Sequence, residues 1–284
     1  MTKGFKKITD TLLLPLPMRR GWGWAFLLLL VTACSTVDED QRLIYVKPAE
    51  VARNVLIEDF TGQRCVNCPV ATQLIEQLQE EYGDAVIPVG IHSGPLGFAG
   101  NATTVGLSTA IGDEYYSYFN IAYQPQGMID RSGGPLAYTD WQAAVYRELQ
   151  KTAPLAITIT TDYDASSRQL TIDIETMGTD GETAGKLQVW LTEDDVQALQ
   201  LRFNDISDPS SGQITDREYR HNHVFRDVVN GTWGDEVTIR EGETTHHTFT
   251  YQLNDQWQAE KMAVVAFVYN AQGVQQVERA KVLH

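Results

Sequence analysis

The stretch that decides the fold reads Asp59-Phe60-Thr61-Gly62-Gln63-Arg64-Cys65-Val66-Asn67-Cys68-Pro69. Just before it, Asn54 to Phe60 contains Val55-Leu56-Ile57, a short apolar run of the kind that forms a buried strand. Thr61 to Arg64 supplies a turn, and Pro69 to Tyr82 follows with Leu74, Ile75 and Leu78 on one helical face. The cysteines therefore stand between a strand and the start of a helix. There the helix dipole and free N–H groups favour a thiolate, Arg64 adds a cation, and Cys68, one turn in, is shielded by packing. This assigns Cys65 as the exposed attacking thiol and Cys68 as the resolving one. The bland alternative is a disulfide that only staples the turn, closing so few residues that its stabilisation lies below the ~3 kcal/mol of a fifteen-residue loop.

Working outward, Val86 to Ile91 is apolar and largely β-branched, which completes a β-α-β unit. A Gly-rich entry at Gly94 to Gly100 leads to a helix expected over Thr103 to Phe119, and Asp140 to Leu149 places Trp141, Val145 and Leu149 on one face after a Thr139 or Asp140 cap. Beyond Pro154 the period changes to two: Leu155, Ile157 and Ile159, then Leu170, Ile172 and Ile174, then Leu187, Val189 and Leu191. Further strands are signalled at Val237 to Ile239, His247 to Leu253, Met262 to Tyr269 and Val274 to Val282, with Asp194 to Asp235 expected as an irregular, acidic loop excursion. About seven strands indicate a β-sandwich of immunoglobulin-like type. The expected boundary between the α/β and the all-β domain lies at Lys151/Thr152.

The first 33 residues form an export signal. Lys3, Lys6, Lys7, Arg19 and Arg20 precede the apolar run Trp24 to Val31, and Met18 is a candidate initiator of a signal of ordinary length. The run is far shorter than the ~20 residues of a spanning helix. Val31-Thr32-Ala33-Cys34 resembles a bacterial lipobox, which implies cleavage before Cys34, its acylation, and a tether from 34 to 53. Acyl chains each contribute about 0.8 kcal/mol per buried methylene, so the mature protein is expected to be anchored and not spanning.

Composition limits the function classes. The chain has 284 residues, is 43% hydrophobic and carries a net charge of -15, which disfavours nucleic-acid binding. Nucleotide and hydrolase fingerprints are absent from the sequence, and no cofactor is expected. With Cys34 acylated, Cys65 and Cys68 must pair with each other or stay free. A four-ligand zinc site would need a second C-x-x-C or a His pair nearby. His221 and His223, with His246 and His247, lack a placed carboxylate, so no metal is assigned.

The segment around the cysteines resembles the thioredoxin superfamily, in which an acid six residues before the first cysteine lies buried behind the pair and relays the resolving cysteine's proton. Asp59 matches that position, and within Tyr123 to Asp130 Pro125 matches the superfamily's cis-proline facing the disulfide. Arg64 replaces the usual Trp, and Val66-Asn67 replaces Gly-Pro. The spacing implies an insertion over Gly94 to Tyr118, forming with Arg64 and Gln124 a substrate rim. Farther on, His221-Asn222-His223-Val224-Phe225-Arg226, Asn230-Gly231-Thr232-Trp233-Gly234 and Val264 to Tyr269 look like the C-terminal motifs of the Bacteroidota outer-membrane protein twenty-eight family. That resemblance implies an outer-membrane lipoprotein. The functional expectation is thiol–disulfide exchange on exported proteins, and the alternative is a surface binding or structural lipoprotein with an inert disulfide. Partners would be exported protein thiols or a surface ligand.

Overall fold

The strand, turn and helix read from the decisive stretch are all present in the computed structural model of the chain, which describes residues 46–283. The signal, Cys34 and the tether up to residue 45 lie outside the described residues. Strand β1 (Val55–Thr61) is buried at all seven positions, which is why its apolar run shows no alternation. Helix α1 (Cys68–Tyr82) begins with Pro in its first turn, where a missing N–H costs nothing, and turns Ala71, Ile75 and Leu78 inward. Strand β2 (Val86–His92) runs parallel to β1 from Val55↔Val86 to Thr61↔His92.

Helix α2 spans only Ala110–Tyr118, not the expected Thr103 to Phe119. Gly97, Gly100 and Gly106 keep the preceding segment irregular, and the helix starts where Thr109 can cap it by accepting from the Gly112 N–H at 2.9 Å. Strand β3 (Gln126–Ile129) lies antiparallel to β1, pairs on its other side with Leu136–Ala137, and leads to helix α3 (Trp141–Leu149). Helices α1 and α3 cover one sheet face, packing Ala71, Ile75, Leu78, Trp141 and Val145 on Val55 and Ile57. Helix α2 covers the other, where Tyr115 joins Leu56, Phe60 and Ile91.

The rest of the chain is β. Strands β4 (Leu155–Asp164) and β5 (Gln169–Gly178) follow the expected alternation, whereas β6 (Glu182–Glu193) is buried at every position from Leu187 to Glu193 because both its faces are covered. Asp164 shapes the first hairpin, its carboxylate accepting from the Ser166 N–H at 2.8 Å. The expected loop excursion is instead a hairpin of β7 (Gln200–Asp205) and β8 (Asp208–Asp216), followed by β9 (Val224–Val228). Strands β10 (Asp235–Arg240), β11 (Thr244–Gln252), β12 (Met262–Asn270) and β13 (Gly273–Lys281) complete the chain.

Two sheets face each other here. Strands β11, β5 and β4, in that order, pack Leu170, Ile172 and Ile174 against Leu187, Val189, Val264 and Ala266 of β6 and β12. The larger sheet has nine strands: β13-β12-β6-β9-β2-β1-β3 and Leu136–Ala137, with β10 also on β6. It does not stop at Lys151/Thr152. Strand β9 pairs antiparallel with β6 and parallel with β2, where Gly90 N–H donates to His223 O at 2.8 Å. A buried parallel edge at β2 would leave unpaired backbone groups, and β9 satisfies them. Strand β13 adds a second tie, with Val277 O accepting from the Asn54 side chain at 3.1 Å and Val274 N–H donating to Asp130 O at 2.7 Å. The α/β half and the β half thus share one sheet.

Candidate functional site

Strand β1 delivers the cysteines through a tight turn in which Cys65 N–H donates to Gly62 O at 3.0 Å, and Asn67 stands at the N-cap position of α1 without a side-chain capping bond. Cys65 and Cys68 are joined as a disulfide with Cα atoms 5.4 Å apart. Both residues are buried, at 2% and 1% exposure, which corrects the expectation of an exposed Cys65. The cover comes from two sides. The insertion lies directly on the turn: Arg64 N–H donates to Leu96 O at 3.0 Å, and a Cβ on Gly62 would fall 2.4 Å from that same oxygen. Arg64 itself is exposed and holds its guanidinium 4.9 Å over the Phe98 ring.

The β half closes the other side. The Gln200 side-chain amide donates to Cys65 O at 2.8 Å and Gly62 O at 3.2 Å, and Leu201 N–H donates to Gln63 O at 2.8 Å. Gln63 in turn bridges both covers, donating to Val105 O and Leu199 O at 3.1 Å each. Every strong donor and acceptor at this junction that is named here finds a partner, as burial demands.

Behind the disulfide is a cavity of about 30 Å³ lined by Asp59, Cys68, His92, Gln200, Tyr219 and His221. Asp59 is 3% exposed and its Oδ1 has no hydrogen-bond partner. Burial alone pushes its carboxyl up to about 7. His92 Nε2 lies 3.3 Å from His221 Nδ1, and burial pushes His221 down to about 4 and His92 well below the ordinary imidazole range. Two neutral imidazoles therefore flank the acid. His92 drew no notice in the sequence because it ends a run that reads as plain strand.

The Gln124–Pro125 bond is cis and both residues are buried. The Gln124 amide donates to Ser93 O at 2.9 Å and also to Thr61 O, so it ties the ends of β1 and β2 and faces inward from the expected rim. His223 sits 3.1 Å from Asp194 and His246 3.9 Å from Glu175. Among the described residues, no group of three or more His, Cys, Asp or Glu is arranged to hold a metal ion.

The family model described as Outer membrane protein Omp28 matches residues 112–284. That span runs from α2 to the end and leaves out the cysteine turn. HBP35 of Porphyromonas gingivalis has a similar structure, with a TM-score of 0.61 at 16% identity over 83% of this chain and 77% of that one, a likeness of fold. A domain of the outer membrane lipoprotein Omp28 from Porphyromonas gingivalis is 22% identical over 46% of this chain and 88% of that one, with a TM-score of 0.32. No curated protein matches.

Proposed function

The chain belongs to the Omp28 outer membrane protein family, and from that premise we propose that it is a lipid-anchored protein acting by binding, with an inert Cys65–Cys68 disulfide stapling a thioredoxin-like half. The observation that carries this is the double cover on the sulfurs, since an exchanger must let a foreign thiolate approach in line with the S–S bond. Support for the thioredoxin-like reading is the element order β1-α1-β2-α2-β3, a short antiparallel strand and α3, with β2-β1-β3 adjacent in the sheet. Support for the anchor is the aliphatic and small residues before Cys34.

Asp59 favours a second reading. A buried carboxyl near pKa 7 beside Cys68 can take or return the resolving thiol's proton, so exchange with exported thiols through Cys65 would follow if the covers lifted, with Pro125, Gln124 and Arg64 around the incoming chain. A Cys68→Ser variant expressed in cells separates the two. The binding reading expects no mixed disulfides on non-reducing gels, whereas trapped adducts through Cys65 would establish exchange.

A further inference from the structure

Strand β3 ends at Ile129, and the next two residues, Asp130 and Arg131, both sit in the left-handed region with φ of 49° and 52°. Non-glycine residues adopt that region rarely, and two in succession need support from around them. Asp130 supplies it: its carboxylate accepts from Leu56 N–H at 2.8 Å and Arg53 Nε at 3.1 Å. The turn carries the Arg131 guanidinium into a nest of rings, 4.5 Å from the Tyr269 centroid, 5.0 Å from Phe267 and 5.1 Å from Phe119. Its side chain is 6% exposed, two of its nitrogens bond to Glu58 at 2.9 and 2.8 Å, and the guanidinium also donates to the Tyr269 hydroxyl.

Arg131 and Met128 line a cavity of about 310 Å³ with Tyr118, Phe119, Trp233 and Tyr269, and Lys186 also borders it. That size is at the lower end of the roughly 300–1,000 Å³ of small-molecule sites. Tyr118 is 62% exposed, a large ring held at the surface 4.3 Å from the Trp233 ring. The remaining polar atoms are mostly engaged. Trp233 Nε1 donates to Glu114 at 3.2 Å, the Tyr269 hydroxyl donates to Trp233 O at 2.8 Å, and Asn270 Oδ1 accepts from Gln272 N–H at 2.9 Å. Apart from the Tyr118 hydroxyl, a ligand meets aromatic faces and two cations, Arg131 and Lys186, the latter only 3.4 Å from the exposed carboxylate of Glu236.

We propose that this cavity binds a flat aromatic carboxylate, its ring against Tyr118 and Trp233 and its carboxylate towards Lys186, the accessible cation of the lining. A sugar would bring many hydroxyl donors to a wall short of acceptors, and an organic cation would find no carboxylate on the lining. The proposal deepens the binding reading and rests on it, yet fails separately, because ligand titration leaves the sulfurs untouched.

The test is calorimetric titration of the mature chain with 2-naphthoate and, as the uncharged counterpart, 2-naphthamide. Saturable naphthoate binding is expected, with naphthamide weaker. Trp233→Ala should weaken naphthoate about tenfold through the lost ring contact, and Lys186→Met about threefold. Because Trp233 also packs in the interior, Tyr118→Ala, at an exposed position, provides a second variant and should weaken binding without lowering stability. Failure of naphthoate to bind, equal binding of naphthamide, or naphthoate affinity unchanged in both ring variants would overturn the proposal.

Discussion

The β half meets the α/β half at two places, and they end differently. At the cysteine turn, Gln200 and Leu201 come down on Gly62, Gln63 and Cys65, and each backbone group they meet is matched by a hydrogen bond. At the aromatic cavity, the loop carrying Trp233 meets Tyr118 of α2 and Arg131 after β3, and there the Tyr118 ring is exposed and Lys186 half-buried at the rim. A junction whose polar atoms are mutually satisfied is closed and suits a structural role. One that leaves donors facing a cavity suits a ligand. In this chain the cysteines, the residues most suggestive of chemistry, sit at the closed junction.

Both junctions depend on the shared sheet, so the largest expected effect comes from breaking its seam. Phe225 on β9 is buried and packs 5.3 Å from Trp190 and 6.0 Å from Tyr115. Phe225→Ala should cost about 3–5 kcal/mol in urea unfolding. Both halves should still unfold in one transition; two separated transitions would show that they are independent domains that merely touch.

Behind the closed junction, Asp59 Oδ1, His92 Nδ1 and His221 Nε2 are buried without hydrogen-bond partners, and pH addresses the first of them. The folded chain holds a proton on Asp59 up to about pH 7, whereas the unfolded chain releases it near pH 4. The contribution of Asp59 to stability therefore falls as pH rises from about 4 to about 7 and levels off above. Asp59→Asn removes this loss, so the variant should be more stable than the parent at pH 8 by on the order of 3 kcal/mol, with the gain gone at pH 4. Thermal melts at the two pH values check it, and a gain that persists at pH 4 would mean that packing, not titration, is responsible.

Smaller effects probe the covers one at a time. Gly62→Ala sets a Cβ against Leu96 O and should destabilise by about 2 kcal/mol while lifting the insertion from the turn. Gln200→Ala removes the amide that bridges Cys65 O and Gly62 O, costing about 1 kcal/mol and speeding reduction of the disulfide about fivefold. If reduction is no faster in either variant, the covers are not what protects the sulfurs.

The β1-turn-α1 unit was legible because its signals are local: an apolar run, turn residues, then a period of 3.6 starting at a proline. The alternating strands from Leu155 to Leu191 were legible for the same reason. The continuation of the sheet across Lys151/Thr152 was not, because β9 joins β2 through residues 134 positions apart, Gly90 and Val224, and no periodicity reports a partner strand. The insertion over Gly94 to Tyr118 was legible as a segment beside the disulfide, but the contacts that seat it and the β half on the cysteine turn were not. Gln63 and Gln200 look like ordinary polar residues until the fold places one above the other. Trp233 was visible within Asn230 to Gly234, but its place beside Tyr118 follows only from the docking of that loop on β6, where Asn230 Nδ2 donates to Leu187 O at 2.8 Å.

The central claim is that the fold seals the sulfurs, and the rate of disulfide reduction tests it most directly. The mature chain is held in dithiothreitol, aliquots are quenched at intervals with N-ethylmaleimide in large molar excess over the reductant, and labelling of Cys65 and Cys68 is followed by mass spectrometry across a urea series that stays below the unfolding transition. The account predicts slow labelling in the absence of urea, accelerating with urea as the covering contacts open. Rapid labelling of Cys65 without urea, unaffected by urea and by Gln200→Ala, would contradict it and return the disulfide to a working role.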